Sequence, residues 1–209
     1  MPATLSYSQF CQMLESAAGQ IRDNHETLSR LDAAVGDGDH GTTILRSMEA
    51  VTKTVAENPD PDLKSLLSQI AWNVMDSDGG STGPLLGSFF MGMSEGLTDT
   101  AGLDCAGVVA MFEAGILKVA KQSRAQIGDK TMMDAFLPAL DALQTARASG
   151  CIRTALQQAA QAAAQGAEST KPLCAKFGRA RNLGERVIGH VDPGAVSVSL
   201  LFKGFSEAL

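Results

Sequence analysis

The sequence predicts an all-α protein, an up-and-down bundle or barrel of about eight helices. Three observations carry this. Apolar residues recur at helical spacing in one segment after another. No stretch makes a convincing strand, so there is no βαβ unit. Turn-forming residues fall between the periodic segments, which leaves short connections.

The elements follow in order. Phe10, Met13, Leu14, Ala17 and Ile21 share one face of a first helix. Ile44, Met48, Val51 and Val55 repeat the pattern, as do Leu63, Leu66, Leu67, Ile70 and Val74. Between them Asn58-Pro59-Asp60-Pro61 reads as a turn, with Asp62 as N-cap of the third helix. A Gly-Gly-Ser-Thr-Gly run leads into an apolar fourth helix near Pro84. Gly102-Leu103-Asp104 opens the fifth, marked by Val108, Phe112, Ile116 and Val119. Phe136, Leu140 and Leu143 mark the sixth, which Ser149-Gly150 ends. Cys151 to Ala167 is rich in Ala and Gln, which favours helix on propensity alone. Val196 to Leu200 alternates like a strand, yet Asp192-Pro193 before it reads as an N-cap followed by Pro at the first helical position, so an eighth helix is expected. No long linker and no internal repeat divides the chain, and residues 1–209 are read as a single domain.

Composition narrows the function. With 17 basic and 23 acidic residues among 209, the net charge is −6, which argues against nucleic acid and anionic membrane surfaces as partners. A hydrophobic share of 44% with 19% charged residues excludes a disordered chain. Aromatics at 5% are too few for base-stacking platforms. The longest apolar stretch, Cys105 to Ala120, is interrupted by Glu113 and Lys118, so no membrane span is expected. The first ten residues lack the features of a secretion signal. Cys11, Cys105, Cys151 and Cys174 form no CxxC and stand at no zinc-ligand spacing. A reducing, cytoplasmic location is the expectation.

Four glycine-rich polar segments stand out. The first runs from Leu31 to Thr43, with Asp32, Asp37 and Asp39 threaded by Gly36, Gly38 and Gly41. Carboxylates this close repel one another, and a hard cation such as Mg²⁺ or Ca²⁺ removes that cost. A helix expected to begin near Thr42 adds a phosphate-binding N-terminus. The alternative is a solvated Asp-Gly turn. The spacing fails the EF-hand pattern, and His40 splits a phosphatase-type DxDGT. The second segment, Ser77 to Gly87, offers bare backbone N–H groups with Ser81 and Thr82 hydroxyls, or a tight turn alone; it is no Walker A. In the third, Ile127 to Asp134, Lys130 reads either as a phosphate-neutralising cation or as half of an Asp-Lys surface pair, and Met132 and Met133 as base contacts or core. The fourth joins Gly178-Arg179-Ala180-Arg181, Gly184-Glu185-Arg186 and Gly189-His190-Val191-Asp192-Pro193-Gly194. Its arginines suit phosphate, while Arg186 reads as a surface ion pair. His25 reads as a polar-face residue. No cysteine stands where it would act as a nucleophile.

Asp32-(x4)-Asp37-Gly38-Asp39-His40-Gly41-Thr42, Gly79-Gly80-Ser81-Thr82-Gly83-Pro84, Gly128-Asp129-Lys130-Thr131-Met132 and Gly189-His190-x-Asp192-Pro193-Gly194-Ala195, in this order, resemble the nucleotide-binding L subunit of dihydroxyacetone kinase. The resemblance covers about residues 5 to 205. It implies an eight-helix antiparallel α-barrel with ADP or ATP at one end, anchored by two Mg²⁺ ions on Asp32, Asp37 and Asp39. It assigns nucleotide contacts to His40, Gly41, Thr42 and Thr43, to Gly80, Ser81 and Thr82, and to Met132, Arg179, Asp192, Pro193 and Gly194. It implies that the ketose is held as a histidine hemiaminal on a separate K subunit, which agrees with the missing nucleophile. A second copy of this chain is a further expected partner.

The family divides by phosphoryl donor. In one branch a bound ADP is recharged by a phosphohistidine protein of the phosphotransferase system; in the other ATP exchanges as a substrate. The separate chain and His40, where many fused ATP-users carry Cys, favour the recharged branch. Gly38 and Thr42-Thr43 resemble the ATP-using loop. The alternatives are therefore a free-standing subunit of an ATP-dependent dihydroxyacetone or tetrulose kinase and, in another class, a non-catalytic helical interaction module. Family L subunits also bind transcription regulators, a second role for the same surface.

Overall fold

The first helix, α1 (Tyr7–Val35), starts at a capping box. Gln9 N–H donates to the Ser6 hydroxyl, and Ser6 N–H donates to Gln9 Oε1 at 3.0 Å. The computed structural model describes residues 4–59, 62–77, 80–97 and 103–209. Within them α2 (His40–Glu57), α3 (Leu63–Met75), α4 (Thr82–Gly96), α5 (Cys105–Ser123), α6 (Met133–Ala146), α7 (Ile152–Ser169) and α8 (Pro193–Glu207) complete an eight-helix protein. No strand is present among the described residues; one isolated antiparallel bridge joins Leu5 to Leu103. The expectations for Asp60, Pro61, Gly79 and Gly102 lie outside the described residues.

The expected starts of α3, α5 and α8 stand. Asp62 accepts from Ser65 N–H and Asp104 from Gly107 N–H, the latter at 2.7 Å. Asp192 accepts from Ala195 N–H at 2.7 Å, with Pro193 as the first helical residue, so the strand-like alternation after it is helix. Gly150 ends the turn after α6 at φ +64. Three boundaries differ. The first helix runs on to Val35 and carries Asp32 in its last turn, because buried Leu28 and Val35 continue the face of Ile21 at intervals of seven. The second starts at His40 and not near Thr42. Residues Arg179–Val187 form 3₁₀ turns broken at Gly184, which no periodicity announced.

Each helix packs on the next, and α8 closes the ring on α1, giving the expected antiparallel up-and-down barrel. Its interior is solid. Phe89, Phe112, Phe136, Phe202 and Phe205 are at most 1% exposed, with ring centroids as near as 5.2 Å. The α8–α1 crossing is tight enough that a Cβ on Gly204 would strike the Ala17 backbone. No helix among the described residues is long and apolar enough to cross a membrane.

This topology has a direct consequence for function. In an up-and-down ring, alternate connections lie at one end. The α1–α2, α3–α4, α5–α6 and α7–α8 connections are the four glycine-rich segments singled out above. The barrel gathers them without any one of them being adjacent in sequence.

Candidate functional site

A cavity of about 600 Å³ opens at that end. Asp32, Asp37, Asp39, His40 and Thr43 line it from the α1–α2 side, and Gly80, Ser81 and Thr82 from the start of α4. Met132, Arg179, Asp192, Pro193 and Gly194 also line it, together with Lys130 and Thr131. Of the expected site residues only Gly41 and Thr42 are not in its wall. Gly41 is buried against α1, where a Cβ would strike the His25 carbonyl, so its missing side chain serves helix packing. Thr42 is exposed on the outer side of α2.

The carboxylates converge. One oxygen of each of Asp32, Asp37 and Asp39 lies within 4.8 Å of the others. Asp32 is fixed on α1 and accepts from His40 N–H at 3.1 Å. Gly38 turns the four-residue loop at φ +81, a conformation side chains disfavour. Asp37 and Asp39 are exposed, and Arg179 reaches across from the α7–α8 connection to ion-pair with both, at 3.2 Å for Asp39.

The donor set is made of oxygen alone. His40 stands beside it but is committed elsewhere: its Nδ1 lies 3.3 Å from the Thr82 hydroxyl and its Nε2 3.2 Å from that of Ser197. Ser197 donates to the Gly194 carbonyl at 2.8 Å, so the network assigns the ring proton to Nε2. Burial lowers the imidazole's pKa, against the pull of Asp32, and holds it neutral. It ties α2 to α4 and α8. A carboxylate-only set suits a hard cation such as Mg²⁺ and not a soft one.

Helix ends supply the complementary feature. α1, α3 and α5, which begin at the far end, carry side-chain caps. Of the helices that begin at the cavity, Asp192 caps α8, while neither Asp39 nor Ser81 caps α2 or α4. In α2 the first N–H, that of His40, goes to Asp32, and Gly41 and Thr42 lie outside the cavity wall. At α4 the first residue, Thr82, lines the cavity with the positive end of the helix dipole behind it, a suitable place for phosphate.

The third segment is architecture. Lys130 is 2% exposed and donates to the carbonyls of Thr170, at 2.6 Å, and His190. Lys130 lies in the cavity wall with its ammonium bonded to these two carbonyls, and it is not the partner of Asp129. That role falls to Lys176, at 2.6 Å, whose hydrogen bond holds the Asp129 carboxyl below its ordinary pKa. Buried Asp134 accepts from Gly128 N–H at 2.6 Å and Thr131 N–H at 2.8 Å. Met133 is core, while half-buried Met132 faces the cavity.

In the fourth segment, Arg181 and Arg186 are exposed and form no ion pair among the described residues, so Arg186 lacks its expected partner. His190 is exposed and contributes only its carbonyl to Lys130. The Asp192 carboxyl is raised to about 7. Burial is the largest cause, helped by Asp134 and Asp32 and opposed by the Ala195 N–H and Lys130. Sequence reasoning missed Ser197, Asp134 and the cavity-lining Phe177, Leu85 and Gln122. Phe177 alone left a signal, as an isolated aromatic in a basic, polar run.

The model of the DAK2 domain matches residues 34–207. A Listeria innocua protein described as "PEP-dependent dihydroxyacetone kinase 1, ADP-binding subunit DhaL" is 36% identical over 189 residues, 90% of this chain and 89% of its own. An L-erythrulose 1-kinase of Mycolicibacterium smegmatis is 37% identical over 201 residues, 94% of this chain but 35% of its own. The crystal structure of the dihydroxyacetone kinase from C. freundii in complex with AMP-PNP and Mg²⁺ aligns with a TM-score of 0.74 at 29% identity, covering 95% of this chain and 33% of that one.

Proposed function

The chain belongs to the DAK2-domain family, alongside ADP-binding L subunits of dihydroxyacetone kinase, and from that premise we propose that it is the nucleotide-binding subunit of such a kinase. It passes a phosphoryl group to dihydroxyacetone, or a related ketose, held on a separate K subunit. The observation that carries this reading is the convergence of three carboxylates beside the uncapped N-terminus of α4 in one cavity.

Asp32, Asp37 and Asp39 would hold Mg²⁺, in our reading two ions. Bound there, the metal neutralises charge on the nucleotide phosphates during transfer. The chain's own residues position and screen. The N-terminus of α4, with the Thr82 N–H, Gly80 and Ser81, and Thr43 from α2, donates to phosphate oxygens. Arg179, already within reach of the cluster, offsets charge as the site fills. Met132 and the Pro193-Gly194 turn bound the rest of the nucleotide. Residues 1–209 act as one domain, and no residue here is asked to bind the ketose.

For the donor we favour bound ADP recharged by a phosphohistidine protein of the phosphotransferase system, in line with the PEP-dependent Listeria relative. The likeness to the erythrulose kinase favours, as the second reading, exchange of ATP as a substrate. A cytoplasmic location and a homodimer belong to the same reading. The deciding experiment is to denature freshly purified protein and analyse what it releases. Retained ADP with Mg²⁺ is the expected result. A protein that arrives empty and binds added Mg·ATP reversibly supports the second reading. One that neither retains nor binds nucleotide overturns both and leaves the helical interaction module.

A further inference from the structure

Lys130 is a buried charge that the proposed transfer does not use. Its ammonium donates to the carbonyls of Thr170 and His190, the two ends of the excursion between α7 and α8. Two more bonds close the same neck. Gly189 N–H donates to the Lys171 carbonyl at 2.8 Å, and Asp192 N–H donates to the Thr170 hydroxyl at 2.8 Å. Beyond the neck the chain runs out and back, carrying Arg179 onto Asp37 and Asp39. Immediately after it, Asp192 caps α8.

Two features mark this as more than packing. A buried ammonium is costly unless fully hydrogen-bonded, so a lysine is a poor choice where an apolar residue could fill the space. The residue also sits at φ +59, where lysine is uncommon. The loop around it is pinned by Asp134, which accepts from Gly128 N–H and Thr131 N–H on either side of it. Lys130 is thus held in place by its own loop while its ammonium grips a different one.

We propose that Lys130 is a positioning residue: it clamps the neck of the 171–189 excursion, sets where Arg179 lies over the cavity, and so governs how long a nucleoside diphosphate remains bound. The ligand in this statement rests on the nucleotide reading above; the clamp does not.

The test uses the full chain and the variants Lys130→Met and Lys130→Gly. Glycine is included because it accepts the positive φ if methionine prevents folding. Amide hydrogen exchange is followed without nucleotide, and release of a fluorescent N-methylanthraniloyl-ADP with Mg²⁺ is followed separately. Exchange at Gly189 and Asp192 is expected to rise on the order of tenfold in either variant, with α3 to α5 unchanged, since a charge-assisted hydrogen bond is worth at least that factor. Release of the fluorescent ADP is expected to quicken on the order of tenfold for the same reason. Unchanged exchange at the neck in a folded variant overturns the clamp. So does a uniform rise across all helices, which marks a general stability role. In the unaltered chain the two neck amides must exchange more slowly than the exposed turns around Gly184; equal rates overturn the proposal without any variant. If the unaltered chain binds no fluorescent ADP, the nucleotide reading fails and the exchange data still decide the clamp.

Discussion

Two connections at the same end of the barrel are alike in sequence and opposite in physics. Gly36 to Asp39 joins α1 to α2, and Gln126 to Thr131 leads into α6. Each is a short Gly-Asp turn between antiparallel helices. In the first, Asp37 and Asp39 are exposed, and their ion pairs are with one long side chain, Arg179, arriving from another segment. In the second, Asp129, Lys130 and the following Asp134 are 7%, 2% and 1% exposed. Backbone N–H groups, carbonyls and Lys176 satisfy their charges. A charge answered by fixed backbone is committed to the fold. A charge answered by an exposed arginine can exchange that partner for a ligand. The composition of a loop does not separate these cases; the origin of the answering group does.

The largest expected effect tests the open loop. Asp37→Asn removes one carboxylate oxygen charge from the cluster and nothing from the core. Phosphoryl transfer to the ketose on the K subunit should fall on the order of a thousandfold, as it does when a preorganised charge is removed from a transfer site. Helical circular dichroism and Tm should stay close to those of the unaltered chain, because an exposed ion pair is worth no more than about 1 kcal/mol. Normal activity would end the metal assignment. The committed loop should respond the other way. Asp134→Ala leaves two part-buried N–H groups without their acceptor and should cost about 2 kcal/mol, seen as a lower Tm. A loss below about 1 kcal/mol would mean the loop's charges are not structural, and the contrast would collapse.

The contrast also explains what was legible beforehand. The helices were readable because each has to bury a stripe, and a stripe has a period. The four segments were readable because chemistry-bearing residues stood among glycines, and the up-and-down topology then brought them together. The end of α1 is hard to read because the stretch from Arg22 to Ala34 is mostly polar, and only Leu28 and Val35 show that the helix continues through Asp32. The nucleotide contact at Gly41 comes from the family resemblance alone, and its missing side chain serves the close approach of α2 to α1. The alternative of an Asp-Lys surface pair at Lys130 fails, and nothing local reports the burial that rules it out. The carbonyls that Lys130 serves lie 40 and 60 residues away. The turns at Arg179 to Val187 have no period to detect, since they pack little apolar surface beyond Val187.

The smallest expected effect lies where the two loops meet. Asp192 lines the cavity, and the charges that act on it come from both sides: Asp134 and Lys130 from the committed loop, Asp32 from the open one. Its carboxyl is raised to about 7, with burial the largest cause. An unfolded aspartate titrates near 3.9, so between these values the folded chain binds the proton that the unfolded chain has lost. The resulting stabilisation is complete in acid and is lost as pH rises through about 7. Between pH 6 and pH 8, in chelator and without nucleotide, the unaltered chain should lose about 1 kcal/mol relative to Asp192→Asn, whose side chain still caps α8 but cannot ionise. Parallel pH profiles of Tm would show a carboxylate ionised throughout. Asp192 would then belong with the exposed charges of the open loop. A profile in which the unaltered chain falls away from Asp192→Asn as pH rises would place it with the committed ones, as a cavity residue that is protonated in the folded chain below about pH 7.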